Sequence, residues 1–162
     1  MWCGIQIAKA STKSSSKVTA DMPTSETILV VDDEPGVLEL VKIILTRHGY
    51  RILEAESGPK ALEICERRDV TVDLLLTDVM MPGMSGLELV RRLKSLHQGL
   101  PVVYMTGGTL EDLVEGELDP QIPCVRKPFD PLSLAATMRN ALEAGRHKRT
   151  LWAGLSNSAP LP

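Results

Sequence analysis

From Thr27 onward the chain alternates between two kinds of apolar pattern, and that alternation sets the fold to be expected. Thr27–Val31, Asp73–Thr77 and Pro101–Met105 are short, nearly unbroken runs of β-branched and aliphatic residues. A strand with one wet face alternates apolar with polar residues, whereas continuous runs belong to parallel strands covered by helices on both faces. Arg51–Ala55 and Ile122–Arg126 are weaker strand candidates. Between these runs the apolar spacing becomes that of a helix. Val37, Leu38, Leu40, Val41, Ile44 and Leu45 define the clearest one, with Pro35 suited to its first turn and Gly49, after His48, suited to its C-terminal cap. A second helix is expected over about Gly58 to Arg68, and a third from Ser85, with Glu88 placed for a capping box. A last helix is announced by Asp130-Pro131 and carried on through Leu134, Met138, Ala141 and Leu142. The segment near Thr109–Glu115 is poorly defined.

This βαβαβ order predicts a single doubly wound α/β domain over about residues 26–145. Residues 1–25, rich in Ser, Thr, Lys and Ala, are expected to form a flexible leader, and residues 146–162 a basic, then apolar, disordered C-terminal tail. A chain of 162 residues has room for one domain of ordinary size and little more. Apolar residues at 43% and charged residues at 24% exclude a fibrous or wholly disordered polymer. Aromatic residues are only 3% of the chain, so aliphatic side chains must fill the core.

The net charge of -3 is unevenly spread. Lys9, Lys13 and Lys17 make the beginning basic, Arg146, Lys148 and Arg149 make the end basic, and the middle is acidic. An acidic domain grips a phosphate backbone poorly, so no nucleic-acid partner is expected. The run Arg146, His147, Lys148, Arg149 reads as a solvated helix end rather than an anion site. Cys3, Cys65 and Cys124 have no metal-ligand spacing and fit reduced thiols in an intracellular protein. No apolar stretch approaches the ~20 residues that span a bilayer, and the N-terminus lacks the apolar core of a secretory signal. No membrane association and a cytoplasmic location are therefore expected.

The chemistry lies in where the acids fall. Asp32 and Asp33 follow the first strand, and Asp78 follows the third. In a five-stranded parallel sheet of order 2-1-3-4-5 those strands are neighbours at the switch point, beyond whose carboxyl ends ligands bind. Three carboxylates would then share one pocket. Two like charges at ~4 Å and an effective dielectric of ~20 repel by ~4 kcal/mol, so the cluster calls for a cation or shifted pKa values. All-oxygen ligands point to Mg²⁺ or Mn²⁺. Thr106 follows the fourth strand and Lys127 the fifth, and both would face the same pocket. A lysine there supplies the fixed charge a transferring phosphoryl group needs, and a threonine hydroxyl can donate to one of its oxygens.

The stretches ILVVDDEP at 28–35, DLLLTDVMMPGMSG at 73–86, VVYMTGG at 102–108 and VRKPF at 125–129 make the chain resemble the response-regulator receiver domains of two-component signalling. The resemblance covers about residues 26–145 and implies the flavodoxin-like receiver fold. It also implies that Asp78 is the phosphoacceptor, and that Asp32, Asp33, Asp78 and the backbone carbonyl of Met80 hold Mg²⁺. Thr106 and Lys127 would contact the phosphoryl oxygens, and the Lys127-Pro128 bond would be cis. Cys124 stands where the family usually carries a Tyr or Phe, and Met80 and Gly108 stand where related receivers carry side chains that steer the hydrolytic water.

The expected function is that of a single-domain response regulator. It would take a phosphoryl group from a histidine kinase or a histidine phosphotransfer protein and reshape a face around Gly107–Gly116 for a downstream protein. It would be no enzyme beyond its own phosphorylation and slow dephosphorylation. The receiver end of a hybrid sensor kinase is a second reading, suggested by the MTGG stretch and the acidic Gly116–Pro120 insertion. Phosphatases with an aspartyl nucleophile carry a D-x-D motif after the first strand, and Asp32-Asp33-Glu34 is not one. A module that is never phosphorylated is the last alternative, against which the intact residue set speaks.

Overall fold

A computed structural model describes residues 26–97, 99–108, 119 and 121–155, and the side chains as far as residue 147. The strands are β1 (Thr27–Val31), β2 (Arg51–Ala55), β3 (Leu74–Asp78), β4 (Val102–Thr106) and β5 (Cys124–Arg126). β1 and β2 have the expected bounds. β3 and β4 begin one residue later than their apolar runs, and β5 is shorter at its start, for reasons that lie in the ladder. Pro101 and Pro123 have no N–H to give, so they serve only as acceptors, from Leu75 N–H at 2.9 Å and Tyr104 N–H at 2.9 Å. Ahead of β3, Asp73 N–H donates to Thr27 O at 2.8 Å, while its carboxylate, in place of a backbone carbonyl, accepts from the N–H of Thr27 at 2.9 Å.

All pairings are parallel and the sheet order is β2-β1-β3-β4-β5, the expected one. The register sets Val31 beside Thr77, Asp78 beside Met105 and Thr106 beside Arg126, which brings the carboxyl ends of the inner strands level.

Four helices occur among the described residues: α1 (Pro35–Arg47), α2 (Gly58–Glu66), α3 (Gly86–Leu96) and α4 (Pro131–Leu155). The period of two along each strand divides the core. Ile28, Val30, Leu74 and Leu76 pack with Leu38, Val41 and Leu45 of α1 and Leu134, Met138 and Leu142 of α4. Leu29, Val31 and Leu75 pack on the other side, with Ala61 of α2 and Leu89, Val90 and Leu93 of α3. Each fully buried side chain of this kind contributes about 1.5–3 kcal/mol of transfer free energy.

The caps follow the sequence in part. Pro35 opens α1, and Gly49, at φ 88°, turns the chain after it. Ser85 accepts from the N–H of Glu88 at 3.2 Å, but the Glu88 carboxylate accepts from Arg92 at 2.6 Å, on the outer face of the helix. α2 stops short of Arg68, since Arg67 already has extended backbone angles and its guanidinium binds Asp69 at 2.8 Å.

The expectation of a disordered tail from residue 146 requires correction. α4 runs unbroken to Leu155, so the basic run 146–149 is helix rather than disordered tail. Two long-range contacts hold the crossing point. A Cβ on Gly145 would lie 2.2 Å from Pro101 Cγ, so glycine alone permits that approach, and Arg146 pairs with Glu26 at 3.1 Å. The leader, the segment Thr109–Glu115 and residues 156–162 lie outside the described residues, as does most of the face expected around Gly107–Gly116. No helix is long and apolar enough to cross a membrane among the described residues.

Candidate functional site at the carboxyl ends of the sheet

The chain leaves β1 at Asp32, whose N–H continues the ladder to Ala55 O at 3.2 Å. That bond keeps Asp32 in strand geometry, and its side chain is fully buried. Oδ1 accepts from the N–H of Glu34 at 3.0 Å, which starts the turn into α1. Asp78, the last residue of β3, is 5% exposed. At the end of β5 the N–H of Lys127 donates to Thr106 O at 2.8 Å, and the Lys127-Pro128 bond that follows is cis.

This backbone frame aims the lysine between the two acids. Lys127 Nζ lies 2.6 Å from Asp32 Oδ2, 3.2 Å from Asp78 Oδ1 and 3.7 Å from Glu34 Oε1. Burial pushes the Asp78 carboxyl above its ordinary range; Lys127 opposes that shift and the Asp32 charge adds to it. Burial alone would lower the Lys127 ammonium, but its contacts with Asp32 and Asp78 together raise it above its ordinary value. The lysine is thus firmly charged.

Thr106 ends β4 between these strands and is buried, its Oγ1 accepting from the N–H of Gly108 at 3.2 Å. Its own proton remains to be donated. Asp33 is exposed, but its charge still reaches Asp78 and adds to the upward shift of that carboxyl. The two buried carboxylates, Asp32 and Asp78, flank the Lys127 ammonium. Among the described residues, no three Asp, Glu, His or Cys side chains stand together as a metal site. Met80, in the loop after β3, has a side chain turned largely to solvent.

One atom nevertheless fits a hard cation. Asp32 Oδ2 is buried and has no hydrogen-bond donor of acceptable geometry, the ammonium at 2.6 Å making an ion pair outside hydrogen-bonding angles. A buried carboxylate oxygen with spare lone pairs is the donor that Mg²⁺ or Mn²⁺ takes.

Two residues of the site escape sequence reasoning. Glu34 is a third acidic contact of Lys127, and its place directly after the acid pair is the only hint of that. Gly86 abuts Asp78 from behind: a Cβ there would lie 2.0 Å from the Asp78 carbonyl oxygen. No local pattern announces that approach.

A parallel sheet of this order, with acids, a hydroxyl and a lysine at its carboxyl ends, is the flavodoxin-like fold of CheY-like receiver domains. The family profile for the response regulator receiver domain matches residues 28–139, and the chain belongs to that family. Response regulator GtcR of Aneurinibacillus migulanus is 37% identical over 119 residues, which is 73% of this chain and 48% of that protein. Sensor kinase CckA of Brucella abortus is 36% identical over 136 residues, 83% of this chain and 14% of that one. Among solved structures, a response regulator receiver domain protein from Clostridium thermocellum superposes with a TM-score of 0.67 at 29% identity, covering 78% of this chain and 98% of that one. The chain thus spans less than half the length of these two curated relatives. Receiver domains act in two-component signalling as phosphoacceptors rather than enzymes in the usual sense. As a class they bind Mg²⁺ at the phosphorylation site and interact with histidine kinases or phosphotransfer proteins.

Proposed function

We propose that this chain accepts a phosphoryl group on Asp78 from a phosphohistidine of a histidine kinase or histidine phosphotransfer protein, and thereby switches a protein-binding face. The observation that carries the reading is the Lys127 ammonium, 3.2 Å from Asp78 Oδ1 at the switch point of the sheet. An oxygen of Asp78 forms the new bond to phosphorus while the bond from phosphorus to the donor nitrogen breaks, and the imidazole keeps the electron pair. Lys127 meets the charge on the phosphoryl oxygens, and the Thr106 hydroxyl donates to one of them. Asp32, Asp33, Asp78 and the backbone carbonyl of Met80 are the groups of this chain that would hold Mg²⁺ or Mn²⁺, which when bound supplies further neutralisation of phosphoryl charge.

Incubation with Mg²⁺ and acetyl phosphate, followed by mass spectrometry, tests the proposal. Label on Asp78 that is lost in Asp78→Asn supports it; no label, or label elsewhere, overturns it. A second reading, the receiver part of a larger sensor kinase, is favoured by the match to CckA, which extends over more of this chain than the match to GtcR. The site chemistry is the same in both.

A further inference from the structure

We propose that Thr77 is a positioning residue for phosphoryl transfer, holding the peptide unit after Asp78 so that the carboxylate keeps its line of attack; this rests on the phosphoacceptor reading of Asp78. Thr77 is the one polar residue between the leucines of β3 and Asp78, and it is fully buried. Leu75 belongs to the core layer of α2 and α3, so the alternation of the strand turns Thr77 that way too, opposite to Asp78. A valine would fill the same space and suit a strand at least as well. What valine lacks is the hydroxyl, and a hydroxyl buried in an apolar layer is unfavourable unless bonded.

That hydroxyl has a single target with a bearing on chemistry. Thr77 Oγ1 donates to the backbone carbonyl oxygen of Asp78 at 3.0 Å. Gly86 closes the same spot from the other side, since a Cβ there would lie 2.0 Å from that oxygen and 3.1 Å from Thr77 Oγ1. At the far end of the same peptide unit the N–H of Val79 donates to Met105 O at 2.9 Å. Both ends of the plane are therefore held, one by the neighbouring strand and one by a side chain. The loop beyond is closed by the bond from Gly86 N–H to Val79 O at 3.0 Å. Loss of the hydroxyl frees the carbonyl end, and the peptide can tilt about the Asp78 Cα, which carries the carboxylate with it. Small misplacements of a reacting group cost rate steeply.

The test compares wild type, Thr77→Val, Thr77→Ser and Thr77→Ala in two measurements: the initial rate of phosphorylation by acetyl phosphate with Mg²⁺, and a thermal melt. Thr77→Val and Thr77→Ala are expected to remain folded at the assay temperature and to react about tenfold more slowly, while Thr77→Ser recovers most of the rate. A purely structural role would move the melts without the serine rescue of rate. If Thr77→Val fails to fold, the Ala and Ser pair decides. Thr77→Val reacting at the wild-type rate, or Thr77→Ser reacting as slowly as Thr77→Ala, overturns the proposal while leaving Asp78 as the acceptor. Wild type that takes no label on Asp78 removes the phosphoacceptor reading itself, and this one with it.

Discussion

Replacing Lys127 by Met removes the ammonium while keeping most of the side-chain bulk, and it leaves Asp32 and Asp78 facing each other in a buried site. The lysine lies 2.6 Å from one carboxylate and 3.2 Å from the other, and its side chain is only 15% exposed. At an effective dielectric of ~20 these separations correspond to gross attractions of roughly 6 and 5 kcal/mol. Desolvation of three ions cancels much of that, so the triad as a whole contributes little net stability. Removing one partner is different, because the desolvated carboxylates remain. Breaking a buried pair in this way costs about 3–5 kcal/mol, and that is the loss expected for Lys127→Met in metal-free buffer near neutral pH. Urea unfolding followed by far-ultraviolet circular dichroism measures it. Added Mg²⁺ should recover more stability in the variant than in wild type, since two unpaired carboxylates attract a cation more strongly than a paired set. A loss below about 1 kcal/mol, or a Mg²⁺ gain no larger than that of wild type, would refute the reasoning that Lys127 is the counter-ion of this site.

Asp78→Asn should take no phosphoryl label and should be more stable than wild type in metal-free buffer at neutral pH. Burial raises the folded-state pKa of Asp78, so native stability is lost as pH rises from the ordinary aspartate range through the raised value; the advantage of the variant should accordingly vanish below the ordinary range in a pH series of melts. Gly86→Ala should cost about 3 kcal/mol or more, because its Cβ would meet the Asp78 backbone at 2.0 Å, whereas Gly58→Ala meets the side chain of Met84, which can shift, and should cost about 1–2 kcal/mol; equal losses in urea unfolding would contradict the distinction. Met80→Asn or Met80→Glu should speed loss of the Asp78 phosphoryl group, by giving the hydrolytic water a hydrogen-bonding partner where wild type has an apolar side chain that is 70% exposed; a time course of label retention indistinguishable from wild type would show that water positioning there does not set the lifetime.

The parts of the fold that were legible are those where local pattern and tertiary need agree. β1 and β2 have the bounds read from the sequence, and the strand order is the expected one. β5 was read too long because Ile122 looks like strand, while Pro123 beside it cannot donate to the ladder and serves only as an acceptor. The helical state of residues 146–155, expected as part of a disordered tail, escapes the sequence for a different reason. The continuation of α4 is tied down by Pro101 against Gly145 and by Glu26 against Arg146, and neither contact leaves a trace in the helix's own spacing. Gly86 is the same lesson at the site: its need for an absent side chain is defined by a carbonyl that arrives from another element.

The gathering of Asp32, Asp78 and Lys127 was legible because topology alone brings β1, β3 and β5 to one end, but the fate of Asp33 was not. Adjacent residues of an extended chain point to opposite sides. The bond from Asp32 N–H to Ala55 O carries strand geometry one residue past β1, which directs Asp32 inward and leaves Asp33 exposed. Two buried carboxylates still need a cation, and the chain provides its own in Lys127. On the reading proposed above, the ammonium that neutralises the acid pair is also the one that meets the phosphoryl oxygens. A metal ion held at Asp32 Oδ2 would compete with Lys127 for that oxygen, and the Glu34 carboxylate, 3.7 Å from Nζ, would be a nearby partner for the ammonium. Metal binding and the placement of the lysine would in this way be one equilibrium.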